Sequence, residues 1–362
     1  MSESFDIAVV GSGAAGIAAA VSAARAGCAT LLLDHRAAPG GTGGFSGLTT
    51  LCGLFDDEGK FLNEGFSREF AGMLAEAPPL RMGKVWVLQY RPEKFRHAAA
   101  SLVASAPNLQ TRWNSPVSGA LVEGNRIVGL NGFCVGAVID CSGSAEVARA
   151  IGAECLATDE TTQASAIVFP LCNVRREFNN PAAVAQVLLP LARAGFPTLS
   201  FQPSLESDTI TVKFSGRADQ IMDVIAFLRE RVSGFENCQT PQTDFAAAQR
   251  AGRMVVGEYL LTGADVLAGR KFPDGAARCA WPIEQWGVDG MPRFKYLPPG
   301  AHYEIPQRSL RALHVKNLFM AGKTISADVD AIASARVMGC CLATGAAAGI
   351  LAAAHLESTC TR

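Results

Sequence analysis

A short apolar run, a glycine-spaced turn and an alanine-rich stretch open the chain, in an order that leaves few folds available to it. Residues 5–10 (FDIAVV) have the apolar density of a buried strand, and Gly11-Ser12-Gly13-Ala14-Ala15-Gly16 follows at once, leading into a helical stretch that carries Arg25. Each glycine has its own physical reason. Gly11 permits a tight turn, Gly13 lets the backbone approach a pyrophosphate, and Gly16 lets the helix pack closely on the sheet. The helix N-terminus then presents free N–H groups and a positive dipole end to an anion. A second apolar strand over 29–33 ends in Asp34, where a ribose diol needs an acceptor. An acid at that place repels a 2′-phosphate and disfavours NADP, while this segment alone leaves both FAD and NAD open.

Some three hundred residues later, Asn317-Leu318-Phe319-Met320-Ala321-Gly322 supplies a further short strand and an Ala-Gly turn. That second segment suits a flavin dinucleotide, so FAD becomes the expected cofactor and redox chemistry the expected activity. At 362 residues the chain has room for two domains, or for one domain with an insertion. Hydrophobic residues make up 49% and charged residues 18%, which points to a compact fold with little charge to spare for a disordered tail. The formal net charge of −1 and the lack of a basic run make nucleic acid and anionic membranes poor partners.

The first strand begins within a few residues of Met1, with no secretory pattern ahead of it, so a cytoplasmic location is expected. The apolar stretch 340–354 is short, rich in Ala and Gly and interrupted by Thr344; it reads as a buried helix and not as a membrane span. The 11 cysteines show no paired framework, and their odd count predicts reduced thiols. The adjacent Cys340 and Cys341 read as small buried hydrophobes. No metal-ligand cluster is apparent.

The chain divides into a dinucleotide domain over 1–156 and 300–362, with a β-hairpin excursion near 116–131, and a substrate or cap domain over 157–299. Gly124-Asn125 between apolar runs predicts a tight hairpin turn. Residues 39–44 (PGGTGG) predict a flexible, backbone-rich loop able to lie against a ligand. In the cap, 163–172 and 208–214 read as strands and 181–194 and 218–232 as helices. Asn179-Asn180 and the stretch 239–243 mark junctions, and a helix is expected over 245–261. The fold class is therefore α/β: a doubly wound Rossmann-type FAD-binding domain with an inserted smaller α+β substrate domain.

These segments together resemble the FAD-dependent oxidoreductase family of the glutathione-reductase-like flavoprotein superfamily. Gly40-Gly41-Thr42 looks like its second glycine loop, and Val138 to Gly143 like its strand leading into a glycine turn. Arg250, Arg253, Gly257 and Tyr259 look like its Arg-Arg helix. Arg308-Ser309, Asn317, Gly322 and the run Ala333 to Met338 look like its C-terminal block. The resemblance implies noncovalent FAD held by Gly11, Gly13, Ala14, Ala15, Gly16, Asp34 and Val117, with His35 toward the adenosine. It adds Gly40, Gly41, Thr42 and Gly43, then Cys141, Ser142 and Gly143, and finally Gly322, Met338 and Gly339 beside the flavin. Gln285-Trp286 stands where relatives often carry a histidine.

Because flavin carries the electron chemistry, few catalytic side chains are required. Arg336, ahead of the flavin-facing turn, is the preferred functional charge. Arg308 and Ser309 are candidates, the arginine for binding a carboxylate, polarising the flavin or making a structural ion pair, and His302 is a candidate base. Arg250 and Arg253 are read as an anion clamp or as structural cations, and Cys52 as the one cysteine placed for a covalent flavin link. No second dinucleotide fingerprint, no C-x-x-C of disulfide reductases and no Asp-Gly hydroxylase motif is recognised. The expected reaction is hydride exchange between flavin and a small polar substrate, an amine, hydroxy acid or unsaturated acid, with oxygen, a quinone or a partner redox protein as the other reactant. A monooxygenase or maturation enzyme acting on a larger substrate is the alternative, and a noncatalytic assembly subunit is the alternative of another class. A homo-oligomer is compatible with all of these.

Overall fold

The computed structural model describes residues 3–158, 163–175, 181–196, 199–241, 247–287 and 292–360. Its main sheet is built from β1 (Ser4–Val10), β2 (Thr30–Leu33), β3 (Leu109–Arg112), β4 (Ala120–Glu123), β5 (Arg126–Leu130), β6 (Phe133–Asp140) and, from the far end of the chain, β11 (Leu318–Met320). The order is β3-β2-β1-β6-β5-β4, with β11 also paired to β6. β1, β2, β3, β6 and β11 pair in parallel, whereas β4 and β5 form the antiparallel hairpin closed at Gly124-Asn125. β6 therefore changes neighbour along its length: Phe133 and Cys134 pair with β5, and Val138 to Asp140 with β11. Asn317 fills the gap that this exchange leaves. Its buried amide accepts the Ile127 N–H at 2.9 Å and donates to the carbonyls of Ile127 at 2.7 Å and Gly136 at 2.8 Å, satisfying backbone groups that the sheet cannot pair.

One face of this sheet is covered by α1 (Ala14–Arg25) and the long α4 (Met338–Cys360). The two pack closely because Gly345 and Gly349 rest against the carbonyl oxygens of Ala15 and Ala19, where a Cβ would overlap them. The helix is long and apolar enough to cross a membrane by length and composition. In the fold, Cys340, Leu342, Ala348 and Ala352 along it are fully buried, and burial in this core accounts for their apolarity.

The cap is an antiparallel sheet of β7 (Ala166–Leu171), β8 (Leu199–Pro203), β9 (Ile210–Phe214) and β10 (Ala247–Ala248), in the order β8-β9-β7-β10, with helices α2 (Pro181–Arg193) and α3 (Ile221–Arg231). Strand alternation sorts its side chains. Ile167, Phe169, Leu171, Ile210, Val212 and Phe214 join Val187, Leu191, Val224 and Leu228 in a core of their own. Burying each such side chain contributes about 1.5–3 kcal/mol. The intervening Val168, Thr211 and Lys213 turn toward the first domain. Thr211 Oγ1 lies 2.7 Å from Thr49 Oγ1, and Gln202 Oε1 accepts the Thr50 hydroxyl at 3.2 Å. The cap is thereby held over the C-terminal ends of the parallel strands.

Several local expectations change. The helix expected over 245–261 is not formed: Arg253–Val255 is a strand paired with Cys155–Ala157, and Gly257 bridges Ala312. Gly252 and Gly257 each weaken a helix by about 1 kcal/mol relative to Ala, and both meet neighbouring groups too closely to carry a Cβ, so strand pairing prevails. Phe245 and Thr243, like Asn179 and Asn180 of the expected junctions, lie outside the described residues. The loop expected over 39–44 becomes a short helix, Gly41–Phe45, with Gly41, Gly43 and Gly44 buried. The cysteines are not all unpaired: Cys279 and Cys340 form a disulfide across a Cα–Cα distance of 6.0 Å. Cys340 is thus joined to a residue 61 positions earlier in the chain, a pairing that no local spacing reveals. The cores also do not divide at residue 299. Met254, Cys279, Ile283, Ile305, Ile332 and Val337 share one core with Val87, and Gly275–Cys279 pairs with Tyr303–Pro306 across that boundary.

Candidate active site

At the C-terminal edge of the parallel strands lies a cleft of about 550 Å³. The glycines of the first turn serve it in different ways. A Cβ on Gly11 would meet the Cys141 carbonyl oxygen at 2.5 Å, and one on Gly16 would overlap the Gly11 carbonyl, so these two hold the turn and the helix together. Gly13 is different: an added Cβ would point into the cleft with only the Gly41 Cα near, at 3.9 Å. That open space at the start of α1, with its unsatisfied N–H groups, fits a pyrophosphate. Ala14 and Ala15 of α1, and Gly41, Thr42 and Gly43 opposite, line the same space.

Asp34 and His35 close one end of the cleft. Asp34 is 3% exposed; its Oδ2 accepts the backbone N–H and the hydroxyl of Ser12 at 2.5 and 2.6 Å, and its Oδ1 accepts the Arg36 N–H at 2.7 Å. The acid is thus fixed by the glycine turn itself and keeps acceptor capacity on Oδ1 for a diol. Cys141, Ser142 and Gly143 form one wall, and Gly322, Arg336 and Met338 reach the far end. There Thr344 Oγ1 accepts the Gly322 N–H at 3.1 Å and pins the Ala-Gly turn to α4. Gly16, Gly40, Val117 and Gly339 do not line the cleft. Gly339 instead packs on the Gly53–Leu54 backbone, and Val117 packs on the core beside β6.

A second cavity, of about 930 Å³, opens between the cap sheet and the first domain, walled by Val85, Val87, Phe201, Trp281, Phe294 and Tyr296 among others. It shares Cys52, Lys213 and Glu284 with the dinucleotide cleft. Arg336 stands at this junction: its Nη2 donates to Gln163 Oε1 and to the Glu284 carbonyl, both at 3.2 Å, while its buried Nε has no partner. Both oxygens of the Glu284 carboxylate accept indole N–H groups, from Trp281 at 2.8 Å and Trp286 at 2.7 Å. Burial would raise the Glu284 carboxyl, but Arg336 and Lys213 outweigh it and hold the group below the usual glutamate value. Burial pulls the Lys213 ammonium down, partly opposed by Cys52 and Glu284, and pushes the Cys52 thiol up to about 12. A thiol so reluctant to ionise is a poor nucleophile for a covalent flavin link.

Three of the expected catalytic residues lie away from this junction. Arg308 is exposed, pairs with Asp274 at 3.0 Å and stacks over Tyr259. Ser309 is buried and donates to the Tyr259 carbonyl at 3.1 Å. His302 follows the glycine turn at 300, with its carbonyl held by Lys271; burial and the cations Lys271 and Arg278 lower its pKa. All three belong to the second core and its rim, because Gly275–Cys279 draws the block containing them away from the cleft. Only Arg336 of the four reaches the junction. Arg250 lines the dinucleotide cleft, with its guanidinium over the Trp286 ring and its Nη1 on the Ala164 carbonyl at 2.6 Å; Arg253 lies on the strand paired with Cys155–Ala157. Sequence reasoning missed Lys213, Glu284 and Gln163. The available signals were a lone lysine inside the alternating strand ITVKF and an acid between two tryptophans, Trp281-x-x-Glu284-x-Trp286.

A parallel sheet with a glycine turn at the head of α1, an acid closing β2 and a cap over the strand ends defines a Rossmann-type dinucleotide-binding flavoprotein. The chain matches the FAD dependent oxidoreductase family over residues 6–190 and 197–362 and belongs to it, and its cofactor is FAD. Its fold is similar to that of a geranylgeranyl bacteriochlorophyll reductase-like protein from Thermoplasma acidophilum, with 14% identity, a TM-score of 0.55 and coverage of 99% of this chain and 80% of that one. GidA of Aquifex aeolicus is similar at 13% identity and a TM-score of 0.56, over 98% of this chain and 64% of its own. CabE, an aromatic hydroxylase from angucycline biosynthesis, is similar at 12% identity and a TM-score of 0.53, over 98% of this chain and 63% of its own.

Proposed function

We propose that this FAD-dependent oxidoreductase exchanges a hydride with an organic substrate of largely apolar body, which enters through the aromatic-walled cavity and meets the flavin at Cys52, Lys213 and Glu284. Bound FAD supplies the hydride chemistry. The observation that carries the reading is the sharing of those three residues by the two cavities. A small polar substrate has little use for a cavity of about 930 Å³ with such walls, so the body of the substrate is assigned to Phe201, Trp281, Phe294 and Tyr296. These residues exclude water and fix orientation, while Lys213 and Glu284 bring one positive and one negative group to the reacting end. Oxygen, a quinone or a redox protein serves as the other reactant.

The test is anaerobic bleaching of the flavin absorbance by alcohols, amines and acids of increasing apolar length, with glycolate as the small polar control. The reading expects bleaching only by members with an apolar body, and suppression in Ser200→Trp, which fills the cavity from β8 beside Lys213. Equal bleaching by glycolate, undisturbed by Ser200→Trp, would overturn it.

A further inference from the structure

The junction holds more positive charge than its own groups compensate. Lys213 is sent there by the alternation of β9, since its neighbours Val212 and Phe214 are committed to the cap core. Arg336 is held there by two neutral acceptors, Gln163 and the Glu284 carbonyl, and one of its N–H groups stays buried without a partner. Among the described residues, Glu284 is the acid lining both cavities, and its two oxygens are already engaged by Trp281 and Trp286. Neither Lys213 nor Arg336 makes an ion pair with it or with any other described acid within 4.0 Å. Two cations removed from water with one distracted counter-charge favour an incoming anion. The adjoining walls are apolar and aromatic, so that anion arrives at the end of an apolar body.

We propose that Lys213 and Arg336 form a carboxylate subsite, and that the substrate is an amphipathic carboxylic acid with its carboxylate at the junction and its apolar body among Phe201, Trp281, Phe294 and Tyr296. This rests on the reading that the cavity admits the substrate. Lys213 is the specificity-determining residue. Its single flexible ammonium supplies the ion pair, and the Arg336 guanidinium beside it adds a second positive charge.

The experiment is calorimetric titration of the FAD-loaded protein at neutral pH with decanoate, decanol and decylamine, on the wild type, Lys213→Met, Lys213→Arg and Ser200→Trp. Decanoate is expected to bind about tenfold or more tightly than decanol, as a charge-assisted hydrogen bond allows. Decylamine is expected to bind weakest. Lys213→Met should abolish the preference for decanoate, and Lys213→Arg should restore it. Equal binding of decanoate and decanol, or a preference that survives Lys213→Met, overturns the carboxylate subsite and leaves the cavity reading standing, provided Ser200→Trp still blocks decanol. Failure of every probe to bind, or decanol binding untouched by Ser200→Trp, overturns the cavity reading and this one with it. Loss of FAD from Lys213→Met would assign the ammonium to the cofactor and also overturn the proposal.

Discussion

Trp286 donates its indole N–H to Oε1 of Glu284 at 2.7 Å, from two residues along the same strand. Trp281 grips the other oxygen, so the carboxylate is presented to the junction in one orientation. Burial alone would raise its pKa, but Arg336, Lys213 and the two indoles hold it below 4.5. A carboxyl with a depressed folded-state pKa contributes stability that is complete above its unfolded value and is lost as pH falls through the folded one. Glu284→Gln should therefore be less stable than wild type at neutral pH by about 1–3 kcal/mol, since a buried indole N–H loses its charged acceptor and Arg336 and Lys213 lose a nearby negative charge. The deficit should shrink as pH drops below 4.5. Urea titrations of both proteins across that range measure it; a deficit of constant size would mean that packing, not charge, is what the substitution removes.

The glycines of the first turn separate cofactor binding from folding. At Gly13 a side chain has room but projects into the cleft, with its nearest neighbour 3.9 Å away. Gly13→Glu should fold with an unfolding midpoint close to that of FAD-free wild type, yet carry no flavin, because a carboxylate would occupy the pyrophosphate position and repel it. At Gly16 a side chain would overlap the Gly11 carbonyl, and Gly16→Val should cost about 3 kcal/mol or more through backbone displacement. Visible absorbance per mole of protein and thermal unfolding distinguish the two. Flavin retained by Gly13→Glu would displace the pyrophosphate from this turn.

These two sites also mark what the chain discloses before it is folded. The turn at Gly11 to Gly16, Asp34 and the Asn317 to Gly322 strand are legible because each requirement is local: a tight turn, a close approach, an acid after a strand. The hairpin at Gly124-Asn125 is legible for the same reason. The junction is not, because Lys213, Glu284 and Arg336 are separated by more than fifty residues at each step and meet only when the cap sheet docks through Thr211 and Gln202. Arg308 and His302 mislead in the opposite way. They stand in a block that looks functional as a string, but pairing of Gly275–Cys279 with Tyr303–Pro306 carries that block into the second core. The extended run through Arg253 misleads again, since its pairing with Cys155–Ala157 is a contact that periodicity cannot foresee.

The disulfide between Cys279 and Cys340 ties the strand Gly275–Cys279 of the second core to the first turn of α4, the turn whose neighbours Met338 and Cys341 line the dinucleotide cleft. Both cysteines are fully buried, so the bond is shielded from solution thiols while the protein is folded. Closing a loop across a sequence separation of 61 removes enough unfolded-state freedom to contribute about 4 kcal/mol in the chain-entropy account. Of the 11 cysteines, two are used by this bond, so nine thiols should titrate in denaturant without reductant and all eleven after reduction. Cys279→Ser should lower stability by about 4 kcal/mol against the oxidised wild type, and should match wild type unfolded in the presence of reductant. Eleven titrating thiols in the unreduced, denatured protein would reject the bond. Nine thiols with no loss of stability in Cys279→Ser would mean that native packing around Cys340 holds the first turn of α4 without the cross-link.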